Sequence, residues 1–155
     1  AVNGPCAGAA FGVALACDIR LAKPGAYFVV GFARIALAPD SAISLLLPVY
    51  IGLGRAQEYF YSNQPISAWQ ALRWGMVNRV AYFNFEGLVR QLSRNLASGP
   101  AEAFAAGKKA FNHAFLPNLE NVLAFEGDLQ EAAGKSAEHR EGVAAFLEKR
   151  AARFE

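Results

Sequence analysis

The sequence contains few of the side chains that build metal centres and disulfide frameworks. Its 155 residues include two cysteines and two histidines. Cys6 and Cys17 stand among small and apolar residues, and we expect both to be buried, reduced thiols of a cytoplasmic protein. His113 and His139 are isolated from the cysteines and from each other, so no metal site is predicted.

Long apolar runs and an excess of one charge are also missing. A membrane-spanning helix needs about 18 consecutive apolar residues, whereas the run Leu45–Val49 is short and interrupted by Pro48. The chain has 15 basic and 13 acidic residues, which gives a net charge of +2, and the basic residues are dispersed. These features argue against a membrane protein and against a nucleic-acid partner.

Apolar residues, by contrast, are abundant. They make up 54% of the chain, and the mean hydropathy is +0.19. A chain of this length can form one domain with a real core, but this apolar content is high for an isolated domain. We therefore expect part of the apolar surface to be covered by a partner subunit or by more of the same protein.

The local patterns predict an α/β chain in two parts. Residues 1–84 contain turn signals, short alternating segments and short helices, whereas residues 85–155 are helical in pattern throughout. No strand is predicted before the first turn, so the chain is expected to begin inside a fold. The predicted strands are 18–22, 26–30 and 76–80, and the predicted helices are 8–16, 42–50, 55–62, 67–74, 86–97, 101–115, 118–135 and 138–153.

Two of these helices have recognisable start signals. Asp40 or Ser41 is expected to cap the helix over 42–50, and Ser67 is expected to cap a helix that stops at Gly75. Three short strands cannot form a self-sufficient sheet amid so much apolar helix. The first part is therefore expected to be the end of a larger α/β core, and the second part a helical appendage.

Six sequence blocks connect the chain to a known family. They are AVNGPCAGAA at 1–10, ACDIR at 16–20, APD at 38–40 with Phe28 before it, IGLGRA at 51–56, ISA at 66–68 followed by WGMVN at 74–78, and EGVAAFLEKR at 141–150. In this order they resemble the crotonase superfamily, the enoyl-CoA hydratase/isomerase proteins. The resemblance covers the whole chain, from residue 1 to the end.

The resemblance implies a fold, a substrate class and an assembly. Residues 1–84 would be the C-terminal end of a ββα spiral core, and residues 85–155 a helical region for oligomerisation and the CoA site. The substrate would be an acyl-CoA thioester, with no cofactor beyond the CoA that it carries, and the assembly a homotrimer or a dimer of trimers. A substantial N-terminal portion, with one of two oxyanion-hole N–H donors, would be absent.

The first block also implies half of an oxyanion hole. The family's Gly-Gly-Gly turn corresponds here to Gly8, Ala9 and Ala10, and the backbone donor corresponds to the N–H of Ala9. Each preorganised donor of this kind contributes roughly 3–4 kcal/mol to stabilising an enolate-like transition state. The alternative is a plain tight turn, because small residues before a helix also serve that purpose.

The proton-transferring groups discriminate between family members. The two glutamates of the hydratases correspond to Gly12 and Phe32, and neither residue can transfer a proton. Asp40 follows Pro39 at a position where certain isomerases and chlorobenzoyl-CoA dehalogenases of the family carry an aspartate. A carboxylate beside the apolar segment 32–38 suits proton transfer next to an enolate. A helix cap is the competing interpretation of Asp40.

Further residues are candidates for binding the substrate. Gly8, Phe28, Phe32, Leu37 and Pro39 are predicted to line or underlie the acyl pocket, with core packing as the alternative for each apolar side chain. The resemblance also implies that the C-terminal helix reaches CoA bound by the same or an adjacent subunit. Phe146 and Lys149 are the candidates there, with a core contact and a solvated face as the respective alternatives.

These observations favour double-bond isomerisation, or ring chemistry on an aromatic-derived thioester, over hydration. An enoyl-CoA hydratase that recruits other groups is the alternative within the family, and dehalogenation with Asp40 as nucleophile is a less favoured one. From a different class, the 155-residue chain could be a non-catalytic assembly fragment. On its own it is expected to have no measurable enoyl-CoA activity.

Overall fold

The computed structural model describes residues 1–154 and contains short strands followed mainly by helices. The predicted helical region ends at Glu155, which lies outside the described residues. The elements are β1 (Pro5–Ala7), α1 (Ala9–Ala16), β2 (Leu21–Ala22), β3 (Tyr27–Val29), a 3-10 turn (Ala33–Ile35), α2 (Ile43–Ile51), α3 (Leu53–Ser62), β4 (Ile66–Ser67), α4 (Ala68–Arg73), β5 (Arg79–Val80), α5 (Phe85–Ala97), α6 (Ala101–Phe115), α7 (Leu119–Gly134) and α8 (Ala137–Glu148).

The strands form two small sheets. β1 pairs in parallel with β3, which pairs antiparallel with β4, and β2 pairs in parallel with β5. The absence of a strand before the first turn was therefore a wrong prediction, because β1 precedes it. Strands of two or three residues show no alternation of polar and apolar side chains, which also explains why β4 was missed and why the predicted strands were too long.

The core lies in the first part of the chain. Its largest fully buried side chains include Phe11 and Leu15 of α1, Leu47 of α2 and Met76. Helix α1 is apolar on nearly every side, but it buries one face and leaves Val13 64% exposed. Cys6 is buried, and burial raises the pKa of its thiol.

Cys17 and helix α8 correct two further predictions. Cys17 is exposed rather than buried, because it follows the last residue of α1 on the solvent side. Helix α8 ends at Glu148 rather than at 153. Lys149 adopts a left-handed conformation with φ 56°, and the N–H of Arg150 returns to the carbonyl of Ala145, a common way for a helix to end.

The second part of the chain buries few of its own side chains. Helix α6 has no buried residue among those described, and α7 has one, Glu126. Helix α8 packs on the 3-10 turn: Nδ1 of His139 lies 2.7 Å from the carbonyl oxygen of Ile35, and Gly142 packs directly against Ile35. Within residues 1–154, no helix combines the length and apolar character needed to cross a membrane.

Candidate active site

The turn between β1 and α1 presents unpaired backbone donors. Gly8 has φ 57° and ψ −134°, a conformation that favours glycine. Its N–H donates to the carbonyl of Val29 at 3.1 Å, and its own carbonyl accepts from Phe11 at 2.8 Å. Among the described residues, the N–H of Ala9 has no hydrogen-bond acceptor. That N–H is available to an anion, as at other helix starts.

Phe32 covers this turn. A Cβ built on Gly8 would lie 3.8 Å from Cζ of Phe32, so the ring lies next to the place where a side chain of residue 8 would be, and the ring is itself buried. Phe28 lies deeper, with its ring centroid 5.3 Å from that of Phe11 and almost no exposed surface. Phe28 thus packs in the core, as its alternative interpretation held, while Phe32 lies beside the Gly8 turn. Leu37 is partly buried against the same core.

The segment that carries Asp40 lies against the same helix. A Cβ built on Gly12 would lie 2.4 Å from the carbonyl oxygen of Ser41 and 2.5 Å from its Cβ. Any side chain at position 12 would require this segment to move. The structure therefore brings the start of α1, Phe32 and the turn beginning at Asp40 together, and it leaves no room for a glutamate at position 12.

The turn after Asp40 has an unusual backbone. Ser41 and Ala42 both have positive φ, 56° and 59°, in a region that L residues rarely adopt. Oδ1 of Asp40 accepts a hydrogen bond from Oγ of Ser41 at 2.7 Å, and the Asp40 side chain is half-buried. The residue at the start of α2 is Ala42, and no side chain of its own segment caps it. The prediction that Asp40 or Ser41 caps this helix was therefore wrong, because the left-handed turn directs both side chains elsewhere.

A glutamate from a distant helix replaces the missing cap. Glu126 of α7 is 2% exposed, and its Oε2 accepts from the N–H of Ala42 at 2.7 Å. Its Oε1 accepts from the N–H of Ser44 at 3.0 Å and from the Ser44 hydroxyl. Gln130, one turn later, donates to the carbonyl of Ala38. Helix α7 therefore holds the Asp40 turn from both sides.

Sequence reasoning missed Glu126, although a signal was present. Leu119, Val122, Glu126 and Gln130 follow one another at helical spacing, so they share a face of α7. All four are at least partly buried. A glutamate that follows apolar residues on a partly buried helix face indicates a buried partner, and the partner here lies 82 to 84 residues earlier.

The remaining candidates lie around the edge of this region. Pro39 borders a cavity of about 240 Å³ between α2 and α3, with Ile43, Leu47 and Phe60 among its neighbours. Phe146 is 59% exposed, and its ring centroid lies 5.9 Å from Cζ of Arg34. Lys149 is exposed at the end of α8 beside the same arginine. Within the described residues, no group of three or more His, Cys, Asp or Glu could hold a metal ion.

Comparisons with known proteins show which proteins the chain is similar to. The family model "Enoyl-CoA hydratase/isomerase" matches residues 1–155. The chain is 45% identical over 156 residues to a probable enoyl-CoA hydratase of Rhodobacter capsulatus, covering 99% of this chain and 60% of that protein. It is 40% identical over 155 residues to 1,2-epoxyphenylacetyl-CoA isomerase of Escherichia coli K12, covering 99% of this chain and 59% of that protein.

A solved structure shows the same fold. The crystal structure of an enoyl-CoA hydratase from Mycobacterium avium subsp. paratuberculosis K-10 matches with a TM-score of 0.95 and 38% identity, covering 99% of this chain and 63% of that one. This match confirms the α/β fold class and the helical region expected from the sequence. The chain spans about 60% of the length of the curated relatives it matches.

Proposed function

The chain belongs to the enoyl-CoA hydratase/isomerase family, and on that premise we propose that the protein moves a proton within an acyl-CoA thioester, with double-bond isomerisation as the outcome. One observation carries the preference for isomerisation. By the family resemblance, the two hydratase glutamates correspond to Gly12, where Ser41 closes off the space for a side chain, and to Phe32. Asp40 is the carboxylate carried by the turn against α1.

The proposed reaction uses Asp40 as both base and acid. Its carboxylate removes a proton from the carbon next to the thioester or from the vinylogous position. The electron pair moves onto the thioester oxygen, where the N–H of Ala9 stabilises the enolate. Protonated Asp40 then returns the proton to the other carbon, and the carboxylate is regenerated. Because Ser41 donates to Oδ1, Oδ2 is the oxygen proposed to carry the proton.

Hydration is the second candidate, and the relatives are named for more than one reaction. The Rhodobacter relative is named as a probable enoyl-CoA hydratase, whereas the Escherichia relative is named as 1,2-epoxyphenylacetyl-CoA isomerase. Comparing crotonyl-CoA with trans-3-hexenoyl-CoA as substrates of the full-length protein separates the two. Faster turnover of the 3-enoyl thioester supports isomerisation, and faster hydration of crotonyl-CoA contradicts it.

Asp40→Asn tests the proton-transfer role. The amide cannot accept a proton at neutral pH, so we expect at least about a 100-fold loss of turnover in the full-length protein. Deuterium incorporation from D2O into the substrate should fall with it. Asp18→Asn is a suitable control because Asp18 is exposed and pairs with Lys108. Unchanged exchange in Asp40→Asn would remove Asp40 from the mechanism.

The proposal includes binding of CoA and assembly into a homotrimer, in one or two layers. Phe146 and Lys149 are exposed and are the proposed CoA contacts. Helices α6 and α7 expose large apolar side chains, which are typical of subunit contacts; they are Phe104, Phe111, Phe115, Leu123, Phe125 and Leu129. Light scattering of the full-length protein tests the assembly, and a stable monomer would contradict it.

Location and the activity of the isolated chain complete the proposal. Both cysteines are unpaired, which supports a cytoplasmic location. Because the chain spans about 60% of its relatives, we also propose that these 155 residues alone do not turn over enoyl-CoA. Measurable turnover of crotonyl-CoA or trans-3-hexenoyl-CoA by the purified chain would contradict this.

A further inference from the structure

The turn that carries Asp40 does not support itself. Ser41 and Ala42 both occupy the left-handed region, which is unfavourable for residues that carry a side chain. No side chain of the segment caps α2. The N–H of Ile43 donates to the carbonyl of Asp40, but among the described residues the N–H groups of Ala42 and Ser44 have no backbone acceptor. Without an external partner, the segment would relax towards an ordinary helix start, in which Asp40 or Ser41 caps the helix.

Glu126 provides that external partner. Its two carboxylate oxygens accept from the N–H of Ala42, from the N–H of Ser44 and from the Ser44 hydroxyl. Hydrogen bonds to a charged group are stronger than neutral ones, and a negative charge is favourable at the N-terminus of α2. Because the Glu126 side chain is buried, water cannot easily replace it as the acceptor.

The left-handed turn at Ser41 and Ala42 also determines where the Asp40 carboxylate lies. Ser41, the residue between Asp40 and Ala42, donates its hydroxyl hydrogen to Oδ1 of Asp40. The backbone of Ser41 also lies against α1, where Gly12 lacks a side chain that would push it away. A change in the φ values of this turn would therefore displace the Ser41 hydroxyl that donates to Asp40. It would also change the distance between the Asp40 carboxylate and the start of α1.

We propose that Glu126 is a positioning residue for the proton-transferring Asp40, because it holds the left-handed turn that carries this carboxylate. The inference rests on the proposed function of Asp40. Through Glu126, helix α7 of the helical region would then contribute to the site as well as to assembly. Glu126 does not exchange a proton with the substrate in this scheme.

Glu126→Gln is the principal test, because it keeps the size of the side chain and replaces one acceptor oxygen by an NH2 group. That NH2 would face an N–H donor of Ala42 or Ser44. For trans-3-hexenoyl-CoA and the full-length protein we expect kcat to fall about 10- to 100-fold, as for a misplaced catalytic group. KM should stay within about threefold. Asp128→Asn, exposed on the same helix, is the matched control and should change neither.

A purely structural role gives a different result. The melting temperature of Glu126→Gln would then fall, while kcat per folded protein would stay within about threefold of the starting protein, and this outcome would overturn the proposal. Ser44→Ala provides a milder second variant in case Glu126→Gln does not fold. It removes one of the three hydrogen bonds to Glu126, and we expect a kcat about 3- to 10-fold lower at unchanged KM. An unchanged kcat in Ser44→Ala would overturn the proposal in that case.

Asp40→Asn separates the failure of this inference from failure of the proposed function. If Asp40→Asn retains full activity, the proposed function fails, and the positioning role fails with it. If Asp40→Asn is inactive and Glu126→Gln keeps its kcat, the positioning role alone is wrong. If the proton-transfer role of Asp40 and the positioning role of Glu126 are both correct, the double variant Asp40→Asn with Glu126→Gln should be no slower than Asp40→Asn alone, because Glu126 acts through Asp40.

Discussion

Residues 1–84 and residues 85–154 use similar apolar side chains in opposite ways. The first region buries Phe11, Phe28, Leu47 and Met76 in a continuous core. The second region leaves large aromatic side chains in contact with solvent; they include Phe104, Phe111, Phe115, Phe125 and Phe146. Stability of the chain by itself therefore comes mainly from the first region.

The second region nevertheless reaches the site, through a small set of close contacts. Glu126 and Gln130 of α7 hold the Asp40 turn, while His139 and Gly142 of α8 hold the 3-10 turn next to Phe32. The difference teaches that apolar burial stabilises the core, whereas directional hydrogen bonds from the helices shape the segment with the proposed catalytic carboxylate. The helical region is more than an appendage.

A pair of phenylalanine substitutions tests this contrast with the largest expected effect. Phe11→Ala should destabilise by about 3–5 kcal/mol, because Phe11 is fully buried and its removal leaves a cavity. Phe111→Ala should change the free energy of unfolding of a monomer by less than about 0.5 kcal/mol, because Phe111 is 69% exposed in the single chain. In the proposed homotrimer, which would cover α6, the cost should be larger. Urea unfolding of the full-length protein measures both. A cost for Phe111→Ala close to that of Phe11→Ala would show that α6 is covered in solution.

Arg20→Met tests a polar contact inside the core region. Arg20 is 4% exposed, lies with Cζ 4.1 Å above the ring centroid of Tyr50, and donates to the carbonyls of Leu15, Cys17 and Met76. Its removal takes the side-chain donor from the buried carbonyl of Met76 and one donor each from Leu15 and Cys17, so we expect a loss of about 3 kcal/mol.

The control for Arg20→Met is Arg79→Met, because Arg79 is exposed on β5. It should change the free energy of unfolding by less than about 0.5 kcal/mol. Equal urea midpoints for the two variants would mean that the buried hydrogen bonds of Arg20 contribute little. The comparison uses thermal or urea unfolding followed by circular dichroism.

Two glycine substitutions compare the regions again, with smaller effects. Gly12→Ala should destabilise by about 1–3 kcal/mol, because its Cβ would overlap Ser41. It should also lower kcat by displacing the Asp40 turn. Gly107→Ala in α6 should stabilise by about 0.5–1 kcal/mol, because a Cβ there meets nothing within 4 Å and alanine favours the helix. Stability changes of opposite sign for the two variants would support the difference between the packed first region and the open second region. Destabilisation by both variants would contradict it.

The smallest effect is expected at α8, where Glu141 within the helix pairs with Arg150 beyond its last residue. The hydrogen bond from Arg150, followed by that from the N–H of Arg153, lowers the pKa of Glu141 to about 2 from its ordinary value of 4.5. The folded state therefore favours the charged form, and this stabilisation is complete above pH 4.5 and is lost as the pH falls towards 2.

Glu141→Gln should accordingly lower the melting temperature slightly at pH 6, and the difference should vanish near pH 2. Because the pair is exposed to solvent, salt should weaken the effect. Glu138→Gln, exposed on the same helix, is the control and should follow the parent protein. A difference that grows as the pH falls would contradict the assigned ion pair.

The accuracy of the sequence predictions depended on how local their signals were. The helix Ala101–Phe115 was predicted with its observed bounds, and Ser67 caps α4 with Gln70 in a capping box, because caps and helical periodicity act within a few residues. Strand β1 and the start of α2 were mispredicted. Strand β1 forms only by pairing with β3, more than 20 residues away, and the start of α2 depends on Glu126. No local sequence pattern indicates such distant partners.

By itself, the sequence determined the family, the order of helices, the lack of a carboxylate at positions 12 and 32, and the aspartate at position 40. Tertiary structure alone decided that Ser41 closes the space at Gly12, that Phe32 covers the Gly8 turn while Phe28 packs behind it, and that a glutamate 84 residues away supports the Asp40 turn. The physical reason is the distance along the chain over which the interactions act. Residue type and spacing govern what a segment can do within a turn or two, whereas burial and hydrogen bonding between distant segments exist only once the chain has folded.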